Sequence, residues 1–336
     1  MISPPGAASS PRSGAGLLRI GVDLGGTKTE AVVVRLGGPD PEVLARRRIA
    51  TERELGYEHI VAQTRGLVVD VAREAGLDDD ALSAIGVGVG MPGSVTTRRA
   101  DGTRGGLPLV KNSNTTCLNG QPFRSDLARA LGRADIAFAN DANCFALAEA
   151  VWGAARGARV AFGVILGTGV GGGIVIRDAS SGGDRARAWD GAQSIAGEWG
   201  HVVLDPTAGS PCYCGRRGCI ETYLAGPAIE RDYAARSHTS LRLSEIAELA
   251  KEGDPIASAL MNERIDVFGR ALSVVVNILD PDVIVLGGGV SNVEALYDEG
   301  LRALGRWVFN DELLTRVVKN ELGDSAGVLG AALLEL

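Results

Sequence analysis

A run of β-branched and aliphatic residues, a glycine turn and a second such run occur twice in this chain. Leu17 to Asp23 passes through Gly25-Gly26-Thr27 into Ala31 to Leu36. Val160 to Leu166 passes through Gly167-Thr168-Gly169-Val170-Gly171-Gly172 into Gly173 to Ile176. Each reads as strand, tight turn, strand. A device that recurs within one chain restricts the fold strongly, because each copy must open its own half of mixed strands and helices. The expected fold is a duplicated α/β domain, two lobes with a central cleft between the copies. The length of 336 residues agrees, since single cores stop growing at roughly 250–300 residues.

The rest of the chain fills in two such halves. Apolar residues three and four apart predict helices over Ile60 to Ala75, Asp126 to Leu131, Leu243 to Lys251 and Pro255 to Leu279. Strands are predicted at Ala84 to Val89, ended by Met91-Pro92-Gly93, at Ile136 to Ala139, and at Asp282 to Leu286, ended by Gly287-Gly288-Gly289. Arg98 to Gly120 reads as a loop, Asn140-Asp141 opens a helix through Trp152, and further helices are expected from Val293 and over Ser325 to Leu334. The domain boundaries that follow are a disordered tail over 1–17, a first lobe over 18–139 to which the helix of 325–336 returns, and a second lobe over 140–324 carrying a metal loop at 201–219. The tail is rich in Pro, Ser, Gly and Ala and lacks an apolar signal core, which predicts a cytoplasmic protein. A net charge of −7 offers no general attraction to nucleic acid or anionic lipid, and no apolar run approaches the roughly 18 residues of a membrane span.

Four groups of residues carry chemistry. In Asp23-Leu24-Gly25-Gly26-Thr27-Lys28 the two glycines let backbone N–H groups face a phosphate, and Asp23 is placed to hold Mg²⁺ through water; a plain hairpin turn has the same composition. Five glycines in seven residues make Gly167 to Gly173 a second backbone cradle, and Gly288-Gly289 follow a strand's carboxyl end, where open α/β sheets bind ligands. None of these is a Walker A motif, as no Gly-Lys-Ser/Thr follows at the required spacing. Asp141, between a strand and a helix, suits either an N-cap or a weak base kept ionised by the helix terminus, which is enough to orient a hydroxyl in phosphoryl transfer. His201, Cys212, Cys214 and Cys219 form H-x10-C-x-C-x4-C, with Gly215 and Gly218 allowing tight turns. A Cys₃His set suits a tetrahedral, structural Zn²⁺ with no open position. Glu198 and Glu221 flank this loop, as solvated acids or as partners for sugar hydroxyls. Cys117 and Cys144 read as packing residues.

Taken together these motifs resemble the ROK family of repressors and sugar kinases, within the actin-like (ribonuclease H-like) ATPase superfamily. The resemblance runs from about Arg19 to Leu334 through Asp23 to Glu30, Asn140-Asp141-Ala142-Asn143, Ala196-Gly197-Glu198-Trp199-Gly200-His201 and Cys212 to Glu221. It implies transfer of the γ-phosphate of ATP, with Mg²⁺, to a hexose hydroxyl, and Asp141 as the catalytic base. It also implies that Asn114, Asn140, Glu198, His201 and Glu221 line the sugar site. Gly26, Thr27, Thr168 and Gly169 would handle phosphates, and Gly288 and Gly289 the adenosine side. Val110-Lys111-Asn112, Leu118 to Phe123 and Asn277 to Asp282 look most like bacterial fructokinase/mannokinase, which makes fructose the expected sugar and a homodimer the expected assembly. N-acetylglucosamine kinases of the family share Gly167 to Gly173 and Cys144 to Leu147 and give the competing expectation of an N-acetylhexosamine. A non-catalytic, sugar-responsive regulator is the alternative of another class. Cys117, where such fructokinases carry an aromatic residue, and Asn320 to Asp324, in place of a more basic stretch, depart from the pattern.

Overall fold

The structure, a computed structural model, describes residues 16–98, 104–178 and 185–335. The tail expected over 1–17 lies outside them except for its last two residues. The first half runs β1 (Leu18–Leu24), β2 (Lys28–Arg35), β3 (Glu42–Ala50), α1 (Tyr57–Glu74), α2 (Asp79–Ala84), β4 (Gly86–Met91), a hairpin β5 (Ser94–Arg98) and β6 (Arg104–Lys111), α3 (Phe123–Ala130) and β7 (Ala137–Asn140). The second runs α4 (Asp141–Trp152), β8 (Val160–Leu166), β9 (Val170–Asp178), β10 (Arg185–Ala188), α5 (Glu221–Leu224), α6 (Gly226–Ser237), α7 (Leu243–Lys251), α8 (Pro255–Leu279), β11 (Val283–Gly287), α9 (Glu299–Gly305), β12 (Arg316–Lys319) and α10 (Ala326–Leu333).

Among the described residues these strands make two five-stranded sheets, β3-β2-β1-β4-β7 and β10-β9-β8-β11-β12, besides the β5-β6 hairpin. The sheets share one topology. In each, the first three strands pair antiparallel and the first strand then pairs parallel with the fourth, which pairs parallel with the fifth. Parallel strands covered on both faces must be apolar throughout, and β11, Val-Ile-Val-Leu-Gly, is buried at every position.

Two apolar helices fill the space between the sheets. In α4 ten of twelve residues are buried, and a helix without a polar face must be covered all round. It packs on β8 and β9 on one side and on α10 on the other, and α10 in turn lies on β1 and β4. The crossing is close: a β-carbon at Gly330 of α10 would stand 1.8 Å from the Cys144 carbonyl oxygen. Buried Glu149, late in α4, accepts from the N–H of Leu322 at 2.9 Å and of Ala154 at 2.9 Å, tying the approach to α10 onto α4. None of the described helices is long and apolar enough to cross a membrane.

Several elements differ from the sequence reading. Arg98 to Gly120 holds strand β6 and the last residue of β5 rather than a loop throughout, and β3, β10, β12, α2, α5 and α6 were not expected. The helix expected from Val293 begins at Glu299, after 3₁₀ turns at Gly289–Asn292 and Glu294–Tyr297.

Candidate active site

The first glycine turn joins β1 to β2. Gly25 N–H donates to the Lys28 carbonyl at 3.0 Å, and Thr51, just past β3, donates from its N–H to the Thr27 carbonyl at 2.9 Å and from its hydroxyl to the Gly25 carbonyl at 2.8 Å. The turn is thereby fixed, with Thr27 and Lys28 exposed. Lys28 Nζ lies 3.9 Å from Asp324, inside the segment that departs from the family pattern. Asp23, half-buried at the end of β1, is pushed up to about 7 by burial, then by Asp141 and Glu30. A carboxylate raised by neighbouring acids in this way suits a nearby divalent cation.

Asp141 is the first residue of α4. The capping role falls to its neighbour: Asn140 Oδ1 accepts from Ala142 N–H at 2.8 Å, while Asn140 Nδ2 donates to the Gly93 carbonyl at 2.9 Å. Asp141 Oδ1 also accepts from Ala142 N–H, at 2.8 Å. Burial nevertheless outweighs that bond and, with Glu198 adding to the rise, brings the Asp141 carboxyl up to about 6. The expectation that the helix terminus makes it a weak base is corrected, because desolvation is the larger effect here.

The second turn joins β8 to β9. Gly167 N–H donates to the Gly169 carbonyl at 2.9 Å, and the clamp comes from outside the sheet: Glu221 Oε2, at the start of α5, accepts from Val170 N–H at 3.0 Å. A β-carbon on Gly169 would stand 2.8 Å from that oxygen, so a larger residue there would push the Glu221 carboxylate aside. Glu221 follows the cysteine loop directly. There His201, Cys212, Cys214 and Cys219 bring one ligand atom each to within 4.8 Å of one another. His201 Nδ1 is 3.5 Å from Cys212 Sγ, and Cys214 Sγ is 3.6 Å from Cys219 Sγ. Those spacings fit the edges of a tetrahedron around an ion with metal–sulfur distances of about 2.3 Å.

Nε2 of His201 points the other way, 2.9 Å from the hydroxyl of Tyr213, whose ring meets the imidazole edge-on at 5.1 Å. With a metal ion on Nδ1 the imidazole would carry its proton on Nε2 and donate it to the Tyr213 hydroxyl. Tyr213 is itself exposed, with Glu221 and Glu198 close by. Glu198, just before the 3₁₀ turn that carries His201, is raised by burial, lowered by His201, raised by Glu221 and lowered by Lys111.

Asp23 thus feels Asp141, Asp141 feels Glu198, and Glu198 feels His201 and Glu221. The acids expected from the sequence are each within electrostatic reach of the next, from the first glycine turn to the cysteine loop. Asn114 lies over the first turn: its Oδ1 is 3.5 Å from where a β-carbon on Gly26 would lie. Gly288, with φ 81°, follows β11 against the Leu166 backbone, and Gly289 after it lines, with Gly167 and Thr168, a cavity of about 920 Å³. It runs on past Gly226 to Met261 and Asn262 of α8. Lys111 and Tyr213 belong to this site although only their motifs drew attention in the sequence. Asn143 joins them by donating to Asp190 at 2.7 Å, which ties the loop leading to Glu198 onto α4.

The chain matches the model of the ROK family over residues 19–336. N-acetyl-D-glucosamine kinases of Yersinia pseudotuberculosis and Citrobacter koseri are 35% identical to it over 327 residues, 94% of this chain and 98% of theirs. Among solved structures, a ROK hexokinase from Thermus thermophilus is 32% identical, with a TM-score of 0.77 and coverage of 94% of this chain and 97% of that one. A ROK family glucokinase from Streptomyces griseus, in complex with glucose and AMPPNP, is 28% identical, with a TM-score of 0.69 and coverage of 94% and 98%. The architecture is the duplicated actin-like ATPase fold expected from the sequence. The narrower likeness to fructokinase/mannokinase is not what these curated relatives carry.

Proposed function

The chain belongs to the ROK family, and from that premise we propose that it transfers the γ-phosphate of ATP to a hydroxyl of a hexose, with Asp141 as the catalytic base. The observation that carries this reading is the run of interacting acids between two glycine turns, from Asp23 at the end of β1 through Asp141 at the start of α4 and Glu198 to Glu221, which is bonded to the second turn. Gly25, Gly26, Thr27 and Lys28 on one side, and Gly167, Thr168 and Gly169 on the other, hold the phosphates. Gly288 and Gly289 admit the adenosine to the cavity between α7 and α8. Asn114, Asn140, Glu198, His201 and Glu221 receive the sugar.

Asp141 orients the acceptor hydroxyl and takes its proton late, as a loose phosphoryl transition state demands. With its carboxyl near 6 it remains ionised at neutral pH and is a stronger base than an exposed aspartate. Asp23 is the residue that would hold Mg²⁺ through water, and the ion would neutralise charge on the phosphate oxygens. His201, Cys212, Cys214 and Cys219 would hold a structural Zn²⁺. That loop in turn fixes Glu198 and Glu221.

N-acetyl-D-glucosamine is the sugar that the relatives favour. Fructose is the second reading, favoured by Val110-Lys111-Asn112, Leu118 to Phe123 and Asn277 to Asp282. A coupled ADP-release assay over fructose, mannose, glucose, N-acetylglucosamine and N-acetylmannosamine decides. The highest kcat/KM is expected with N-acetylglucosamine. A higher value with fructose selects the second reading, and release with none of the five leaves a sugar-responsive regulator without catalysis.

A further inference from the structure

Chain segment 51–53 leaves β3 where that strand passes the first glycine turn. Thr51 is bonded to the turn twice, as described above. Glu52, the next residue, stands in the left-handed region at φ 52° and ψ 42°, a conformation that residues with side chains adopt at a cost and that gathers at functional sites. Its carboxylate is taken by His59 Nε2 at 3.0 Å and Gln63 Nε2 at 2.9 Å, which leaves its neighbour Arg53 without that partner.

The turn at Glu52 sends the Arg53 side chain back over Gly26. A β-carbon on Gly26 would stand 3.5 Å from Arg53 Nη1, 3.5 Å from Asn114 Oδ1 and 3.8 Å from Thr115 Oγ1. Thr115 Oγ1 is buried and has no hydrogen-bond partner. Among the described residues nothing accepts from the Arg53 guanidinium either. The arginines of the adjoining edge strand are unlike it: Arg46 and Arg48 pair with Glu30, and Arg47 with Glu74 at 2.8 Å. A guanidinium has five donors in a planar fork. Here the fork lies exposed and unpaired between the turn proposed for phosphates and the asparagine proposed for the sugar.

We infer that Arg53 binds the phosphoryl group as it passes from nucleotide to sugar. The inference rests on the sugar-kinase reading, which makes the space over Gly26 the path of the group transferred. In that step the bond between the γ-phosphorus and the β–γ bridging oxygen breaks, and its electron pair leaves on ADP. The sugar oxygen forms the new bond to phosphorus, and its proton passes to an Asp141 carboxylate oxygen. Arg53 takes no proton. It offers two parallel N–H donors to two of the three equatorial oxygens, where charge collects in the transition state.

The test compares wild type, Arg53→Ala and Arg53→Lys with the best sugar of the wild-type protein. Expected for Arg53→Ala is a fall in kcat of about 10²-fold or more, with the dissociation constant for sugar alone, measured without nucleotide, and the Tm both unchanged. Added guanidinium ion should restore part of its turnover. Arg53→Lys, which keeps the charge and loses the fork, should fall between the two. It also serves as the second variant if the alanine protein fails to fold. A kcat within about threefold of wild type overturns the inference, as does a weakened sugar dissociation constant at unchanged kcat. Absence of ADP release by the wild-type protein on every sugar is a separate result, which falls on the sugar-kinase reading and takes this inference with it.

Discussion

The two glycine turns occupy the same place in two sheets of one topology, yet they are held and equipped differently. The turn of the first sheet is clamped from within, by Thr51 at the end of that sheet's third strand. Glu221, carried by the cysteine loop outside the second sheet, clamps the other. Asp23 is the sixth residue of β1, and Ile165 fills the corresponding place in β8. The acid that suits a cation and the free guanidinium of Arg53 are therefore on the first side. The carboxylates and imidazole proposed for the sugar are on the second. Duplication supplied two equal holders, and the chemistry was divided between them by what was added at the strand ends.

The largest test of that division is removal of the proposed zinc. Chelation, or Cys214→Ser, should lower Tm by about 10 °C or more, since structural zinc contributes directly to folding. The amides of β1, β2 and β3 should keep their exchange protection, because their clamp is local. A Tm unchanged after verified metal removal would count against a structural ion.

The two clamps should then separate kinetically. Glu221→Ala removes a charged acceptor from Val170 N–H, worth about 1.5–3 kcal/mol. It should raise KM for sugar and for ATP together, each about tenfold. If only the sugar KM moves, the carboxylate does not govern the second turn. The smaller effect on substrate binding belongs to Thr51→Val, which deletes neutral hydroxyl bonds to the Gly25 carbonyl and to the Thr29 hydroxyl at 2.9 Å, the former worth about 1 kcal/mol to the turn. There KM for ATP should rise about fivefold while KM for sugar stays in place. A shift in both would mean that the first turn is not the separate unit described here.

How much of this was legible in the sequence depends on how local each signal is. The duplicated turns, α4 and the cysteine spacing lie within short segments, and each could be read where it stands. β3 could not, because Arg46-Arg47-Arg48 at a sheet edge breaks the alternation that marks a strand, and their partners Glu30 and Glu74 come from other elements. β12 has only four residues and depends on β11 for its pairing. The same non-locality hid Arg53, whose place over Gly26 follows from the pairing of β3 and from the left-handed Glu52. Asp141 was legible as a residue but not in its acidity. Nothing in Asn140-Asp141 tells which of the two caps the helix, or that burial raises the other.

The most direct test of the account follows kcat/KM against pH for wild type and Asp141→Asn, with sugar affinity measured alongside. An aspartate brought up to about 6 must be ionised to act, so wild-type kcat/KM should be level above that pH and fall about tenfold per unit below it. Asp141→Asn should bind sugar nearly as well, turn over at least about 10²-fold more slowly, and lose that acid limb. Turnover equal to wild type in the asparagine variant, with the limb intact, would contradict the assignment of Asp141 and with it the proposed division of labour across the cleft.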